Sequence, residues 1–283
     1  MLLLTFALAC GRDGSRIVVG SKNFGENVLL AELMAQQIES ATELEVDRRF
    51  NLGGTFLCHE ALVAGQIDVY PEYTGTAWTA ILKQPVLRDA TKVLARVDEE
   101  YRGQYQLEWG APFGFNNTFV LVLRKDDIAT QQWHSISDLI PAAPKLSIGF
   151  GFEFLDREDG YRGLVETYGL AFQGEPVTMD MNLVYEALRA RKIDVGVGNS
   201  TDGLIAIFDL ATLEDDLHYF PPYDAAPVIR TATVDRFPDV KAALDRLGGV
   251  LSEAEMRRVN QQISGDRRPI EDVARELRAA KGL

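Results

Sequence analysis

The sequence is poor in cysteine, histidine and long apolar runs, and short of positive charge. Two cysteines, Cys10 and Cys58, are too few for a disulfide scaffold or a cysteine-based metal site. The histidines His59, His134 and His218 lie far apart, and none has metal-ligand spacing with Cys, Asp or Glu, which argues against zinc catalysis. Twenty-nine basic residues against 42 acidic ones leave a formal charge of -13. Such a chain repels phosphate backbones and anionic membrane surfaces, so its ligand is expected to be cationic, zwitterionic or neutral rather than nucleic acid. No run reaches the ~18 apolar residues of a membrane span. Catalytic signatures are missing too. In Gly198 to Gly203 (GNSTDG), Asp202 stands where a nucleophile elbow needs glycine, and the third glycine of a dinucleotide fingerprint is absent; Ser200 there reads as a helix cap. Cys58 and His59 are neighbours on a predicted helix, where adjacent side chains diverge by roughly 100°, so they form no dyad. With no nucleophile, base and orienting group in one place, neither an enzyme nor a cofactor is expected.

What is present is an ordinary globular composition, 46% apolar and 25% charged, in 283 residues. That is enough for one large domain or two of ordinary size with a sizeable core. Met1 to Ala9 (MLLLTFALA) is too short to cross a bilayer but suits the apolar region of a signal peptide. Cys10 follows it, then Gly11 and a polar stretch, and this resembles a bacterial lipoprotein signal in which the cysteine is lipidated. Export and lipidation at Cys10 are the expectation.

Along the chain, short β-rich runs alternate with helical periodicity, the pattern of an α/β protein with largely parallel sheets. Ile17 to Gly20, Val46 to Phe50 and Ile67 to Tyr70 read as strands; Val28 to Ile38 and Phe56 to Ala64 read as the helices between them, giving βαβαβ. A second set follows: strands Phe119 to Leu123, Leu146 to Gly149 and Ile193 to Val197, with helices Tyr161 to Tyr168 and Asn182 to Ala190. Pro238 to Gly248, Ser252 to Ser264 and Pro269 to Lys281 are helical, with caps at Ser252 and Pro269. An internal echo links the two sets. His59 to Tyr70 (HEALVAGQIDVY) and Tyr185 to Gly196 (YEALRARKIDVG) share Glu, Ala, Leu, Ala, Ile, Asp and Val in register, and chance explains that poorly. Two similar open-sheet lobes would present ligand groups from the loops at the carboxyl ends of their strands: Ser21 to Asn27, Gly53 to Phe56, Pro71 to Thr76, Phe150 to Gly160 and Gly198 to Gly203. Asp68 and Asp194, at matched positions before those loops, are expected to brace them, and Trp78, Trp109 and Trp133 to pack inside the lobes. A cleft between the lobes would close on its ligand like a hinge.

Six ordered segments in and near these loops carry a resemblance: Gly20 to Glu26 (GSKNFGE), Asn51 to Thr55 (NLGGT), Asp68 to Thr76 (DVYPEYTGT), Glu153 to Gly160 (EFLDREDG), Ser200 to Gly203 (STDG) and Phe220 to Arg230 (FPPYDAAPVIR). From about Ile17 to the C-terminus the chain resembles the substrate-binding proteins of osmoprotectant ABC importers, the OpuAC-type periplasmic binding proteins, which handle glycine betaine, choline, carnitine and related quaternary ammonium compounds. The resemblance implies a type II two-lobed fold, each lobe an open, mostly parallel sheet flanked by helices, with the ligand in the inter-lobe cleft. It places a signal segment and linker at 1–15, one lobe at 16–117 plus 222–283, and the other at 118–221, with two crossing strands as hinge. It also implies an extracytoplasmic, lipid-anchored protein that serves an ABC permease and its ATPase. A larger betaine such as ergothioneine, or a sensor role without transport, are the alternatives.

A quaternary ammonium has no N–H to donate, so it is recognised by shape and by the negative faces of aromatic rings. By resemblance that cage falls at Tyr73, Phe119, Asn199 and Tyr223, two of which depart from tyrosine. Asn117 stands where a backbone carbonyl faces the cation. A carboxylate tail needs Arg or Lys plus a hydroxyl, and the matching positions are Lys22, Thr76 and Arg157.

Overall fold

The computed structural model describes residues 16–283; the expected signal segment and Cys10 lie outside the described residues. The βαβαβ unit is present: β1 (Arg16–Lys22), helix α1 (Gly25–Ala41), β2 (Glu45–Gly53), helix α2 (Thr55–Val63) and β3 (Val69–Tyr73). Helix α1 is buried on nearly every side, with the apolar run LLAELM at its middle, because it lies between β1 and β2 and the helices Pro238–Asp245, Glu253–Ser264 and Ile270–Lys281. The expected caps differ in kind. Ser252 makes a capping box with Glu255, whereas Pro269 precedes its helix without a side-chain bond.

Strands β4 (Leu107–Trp109) and β10 (Ala225–Arg230) complete a first sheet in the order β2-β1-β3-β10-β4. Strands β5 (Phe119–Arg124), β6 (Ile148–Gly151), β7 (Val177–Met179), β8 (Val195–Asn199) and β9 (Leu210–Thr212) form a second in the order β7-β6-β8-β5-β9. The two sheets have one plan: three parallel strands, then a crossing strand running antiparallel, then an antiparallel edge. Both are therefore mixed, parallel through the βαβ portion only, because β10 and β5 each follow a segment that crosses over from the other sheet.

The echo in the sequence maps onto this symmetry. The Asp68 carboxylate, before β3, accepts from the Val18 N–H of β1 (2.8 Å), and Asp194, before β8, accepts from the Ser147 N–H before β6 (3.0 Å). Arg230, ending β10, lies 3.6 Å from Asp68, and Arg124, ending β5, 3.1 Å from Asp194. Both aspartates brace their loops as expected. Trp78, Trp109 and Trp133 are buried.

Two segments, 110–118 and 213–224, run between the sheets, and they are tied to each other. The Asn117 N–H donates to the Tyr223 carbonyl (3.1 Å), the Tyr223 N–H donates to Asn116 Oδ1 (2.7 Å), and Asn116 pairs with Asp224 as a β-bridge. One apolar cluster continues across both sheets, from Leu29, Leu33 and Val69 through Tyr73 and Tyr223 to Leu121, Phe150 and Phe154. Strand β10 escaped the sequence reading because Pro227 lies inside it, and proline cannot donate to a ladder. In the register Pro227 faces Pro71 of β3, so both missing donors fall on one rung.

Candidate functional site

A cavity of about 440 Å³ opens between the carboxyl ends of the two sheets, within the ~300–1,000 Å³ usual for small-molecule sites. Lys22, Tyr73, Thr76, Asn117, Phe119, Arg157, Asn199 and Tyr223, drawn from six separate stretches of chain, all line it. The local structure around them differs from the loops expected. Lys22 and Tyr73 end strands β1 and β3 and Thr76 lies in a helical turn, whereas Phe119 opens the strand β5 as expected. Ser200 is not a helix cap. Asp202 is, accepting from the Leu204 N–H (2.9 Å), while the Ser200 hydroxyl ties to the Asn116 carbonyl (3.3 Å).

The two cations expected to hold an anion already hold one. Lys22 Nζ, 3% exposed, donates to Glu72 Oε1 (2.5 Å) and Thr55 Oγ1 (2.9 Å). Arg157 grips Asp159 through Nε (2.7 Å) and Nη2 (2.8 Å). Asp159, with no exposure, also accepts from Thr79 (3.1 Å) and the Tyr223 hydroxyl. Among the described residues, Nη1 of Arg157 has no hydrogen-bond partner, so one guanidinium edge is left for a ligand.

The rings expected to cage a cation carry the protein's own cations. Lys22 lies 5.3 Å from the Tyr73 ring centre, and the Arg157 guanidinium 5.3 Å from Phe119 and 5.9 Å from Tyr223. Phe119 meets Tyr223 edge to face at 5.5 Å, and Phe24 stacks on Tyr73 at 6.1 Å. Aromatic surface is not exhausted, because Phe24, Phe152 and Phe154 also line the cavity and Phe152 is 63% exposed. The Asn199 side chain makes no hydrogen bond to another described residue; its backbone N–H donates to the Tyr185 hydroxyl (3.3 Å).

Sequence reasoning missed the carboxylate at the centre of this wall. Glu26, in the first turn of α1, accepts from Tyr73 OH (2.8 Å), Asn117 Nδ2 (2.7 Å), Thr201 Oγ1 (2.5 Å) and Asn260 Nδ2 (2.7 Å). Burial pushes its carboxyl above the ordinary range against the pull of these four donors. Asn117, whose backbone carbonyl is expected to face a cation, also gives its side-chain amide to Glu26, and its Oδ1 is buried without a partner. The signal for Glu26 was in the GSKNFGE segment, but a glutamate at a helix start reads as an ordinary first-turn acid. Asn260, in a C-terminal helix outside every quoted segment, gave no signal at all.

The sequence matches a family model described as the substrate binding domain of ABC-type glycine betaine transport system over residues 15–280. It is 30% identical to the carnitine transport binding protein of Listeria monocytogenes, over 98% of this chain and 93% of that one. It is 31% identical to an ergothioneine transport permease/ergothioneine binding protein of Helicobacter pylori, over 94% of this chain and 48% of that longer one. Among solved structures, a glycine betaine/carnitine/choline ABC transporter superposes with a TM-score of 0.82 at 29% identity, over 94% of this chain and 98% of the other.

Proposed function

The chain belongs to the family of substrate-binding domains of ABC-type glycine betaine transport systems, and on that premise we propose that it captures a quaternary ammonium or betaine-type solute, such as glycine betaine, choline or carnitine, outside the cytoplasm and delivers it to an ABC permease with its ATPase. Its part in this reading is solute capture, the role of the family's binding domains, and not catalysis. The pattern ending at Cys10 supports a lipid anchor. The observation that carries the reading is the convergence of aromatic walls with one open guanidinium edge, Arg157 Nη1, in a single cavity. The cationic head lies against the remaining ring faces, worth about 0.5–2 kcal/mol each when desolvated, and a carboxylate tail reaches Arg157 with Lys22 and Thr76 beside it. Thermal-shift titration against glycine betaine, choline, carnitine and ergothioneine tests this, because a ligand at 100 times its dissociation constant adds about 2.7 kcal/mol of stability. A panel that leaves the midpoint unmoved overturns it.

Asn199 favours a second reading within the same role. Its amide, without a partner among the described residues, lines the cavity where a ring is expected, so a larger betaine with a polar substituent, such as ergothioneine, fits this wall better than a bare trimethylammonium group. Titrating Asn199→Tyr with the same panel separates the readings. A gain for glycine betaine marks an eroded cage, and loss of ergothioneine marks a specific amide contact.

Capture works by closure of 16–117 plus 222–283 on 118–221. Gly203, opening the helix Gly203–Ile207 on the second-sheet side, abuts the helix Glu253–Ser264: a Cβ there would fall 2.5 Å from the Gln261 amide nitrogen. Gly203→Ala should leave each half folded and obstruct their approach. Overpacking of about 1–3 kcal/mol felt only on closing weakens binding roughly 5- to 150-fold. Small-angle scattering should show the radius of gyration falling with saturating ligand in the wild type and less in the variant. An unchanged radius in the wild type, with binding proven, would argue for a rigid pocket.

A further inference from the structure

Three carboxylates and two cations are buried together around the cavity. Glu72 (0% exposed) pairs with Lys22, Asp159 (0%) pairs with Arg157, and Glu26 (5%) pairs with no cation among the described residues. Its four partners are two hydroxyls and two amides. They solvate a carboxylate without neutralising it, and an unpaired charge in a low-dielectric site is costly. The amides repeat the asymmetry. Asn117 and Asn260, 8% and 6% exposed and both on the cavity wall, give their NH2 groups to Glu26, which leaves Asn117 Oδ1 and Asn260 Oδ1 as buried acceptors without donors. One full negative charge and two carbonyl dipoles thus stand at one wall, while the site's own cations are held elsewhere.

We infer that Glu26 is the group that selects a fixed positive charge, the ligand's cationic centre being its missing counter-charge, so that the site takes a permanently cationic head and rejects a neutral head of the same shape. This rests on the transport reading above but goes further, because rings alone discriminate weakly between a cation and its isostere, by roughly 2- to 30-fold per contact.

The probe is choline against 3,3-dimethyl-1-butanol, in which carbon replaces the ammonium nitrogen. In the wild type, choline should bind at least about 100-fold tighter, the sum of ring and carboxylate contributions. In Glu26→Gln, with folding checked by circular dichroism, choline should weaken about 10- to 100-fold while the alcohol holds or improves, so the ratio collapses. A second readout requires no change at Glu26. Choline does not titrate, so its affinity should fall with pH as Glu26 takes up a proton, and the alcohol's should not. Among the described residues, the other titratable groups that line the cavity are Tyr73 and Tyr223, which burial keeps protonated, Lys22, held by Glu72, Arg157, held by Asp159, and the carboxylates Glu153, Asp180 and Asp202, the last raised by burial; Glu153→Gln, Asp180→Asn and Asp202→Asn remove the contributions of those three. An unchanged ratio in Glu26→Gln, or a flat pH profile where that variant does not fold, overturns the inference alone. A wild type that binds no quaternary ammonium overturns the transport reading with it.

Discussion

An Asp159→Ala variant is expected to lose about 3–5 kcal/mol of stability, the usual cost of removing one partner from a buried ion pair. Asp159 has no solvent exposure and satisfies Arg157 through two nitrogens, together with Thr79 and Tyr223. Its removal strands a guanidinium whose side chain is only 8% exposed and frees two hydroxyls in the same step. Replacing both partners by apolar residues of similar volume, as in Arg157→Met with Asp159→Leu, should recover most of the loss, since no charge is then left uncompensated. Urea unfolding at neutral pH decides it. A loss below ~1 kcal/mol for the single variant would mean that water reaches Arg157 and that the pair is a surface feature.

Arg157→Ala should split the ligands by the charge of their tails. A zwitterion loses the Nη1 contact to its carboxylate, costing about 2–5 kcal/mol in a desolvated cleft. Choline has no carboxylate to lose. Moreover, the Asp159 carboxylate released from Arg157 becomes a second uncompensated anion beside the Phe119 and Tyr223 rings, whose faces the guanidinium has vacated. Choline affinity should therefore hold or rise while glycine betaine falls, which isothermal titration of the two ligands will show. Equal losses for both would identify Arg157 as a support of the fold that does not read the ligand.

The elements legible in the sequence were those whose apolar period agreed with their burial. The first βαβαβ unit, the helix Tyr161–Tyr168 and the C-terminal helices are of this kind. The helix Ala90–Tyr105 keeps only Val93, Val97 and Tyr101 inside and received no assignment from the sequence, and β10 was disguised by Pro227. Resemblance brought eight positions to one cavity, but it could not say what they touch there. Whether Arg157 faces a ligand or Asp159 is a matter of two residues' separation in one loop, and whether Lys22 is free depends on Glu72, fifty residues away. Charge pairing of that sort is tertiary information. Glu26 shows the same limit from the other side: a first-turn glutamate is unremarkable until α1 is buried and Thr201 and Asn260 arrive from distant parts of the chain.

The place of β10 in its sheet has a consequence in time. Residues 225–230 fill the gap between β3 and β4, yet the whole second sheet, residues 119–212, lies between β4 and β10 in the chain. The second sheet can pair its own strands from contiguous sequence, whereas the first keeps β3 with an open edge and β4 with no neighbour until β10 is supplied, a long loop closure of the sort that slows folding and leaves pairing groups exposed. Tyr223 comes with that late strand and Asn260 follows it. During synthesis the wall that bears Glu26 thus lacks Tyr223 and Asn260 until nearly the entire chain has emerged, and before that the cavity is incomplete.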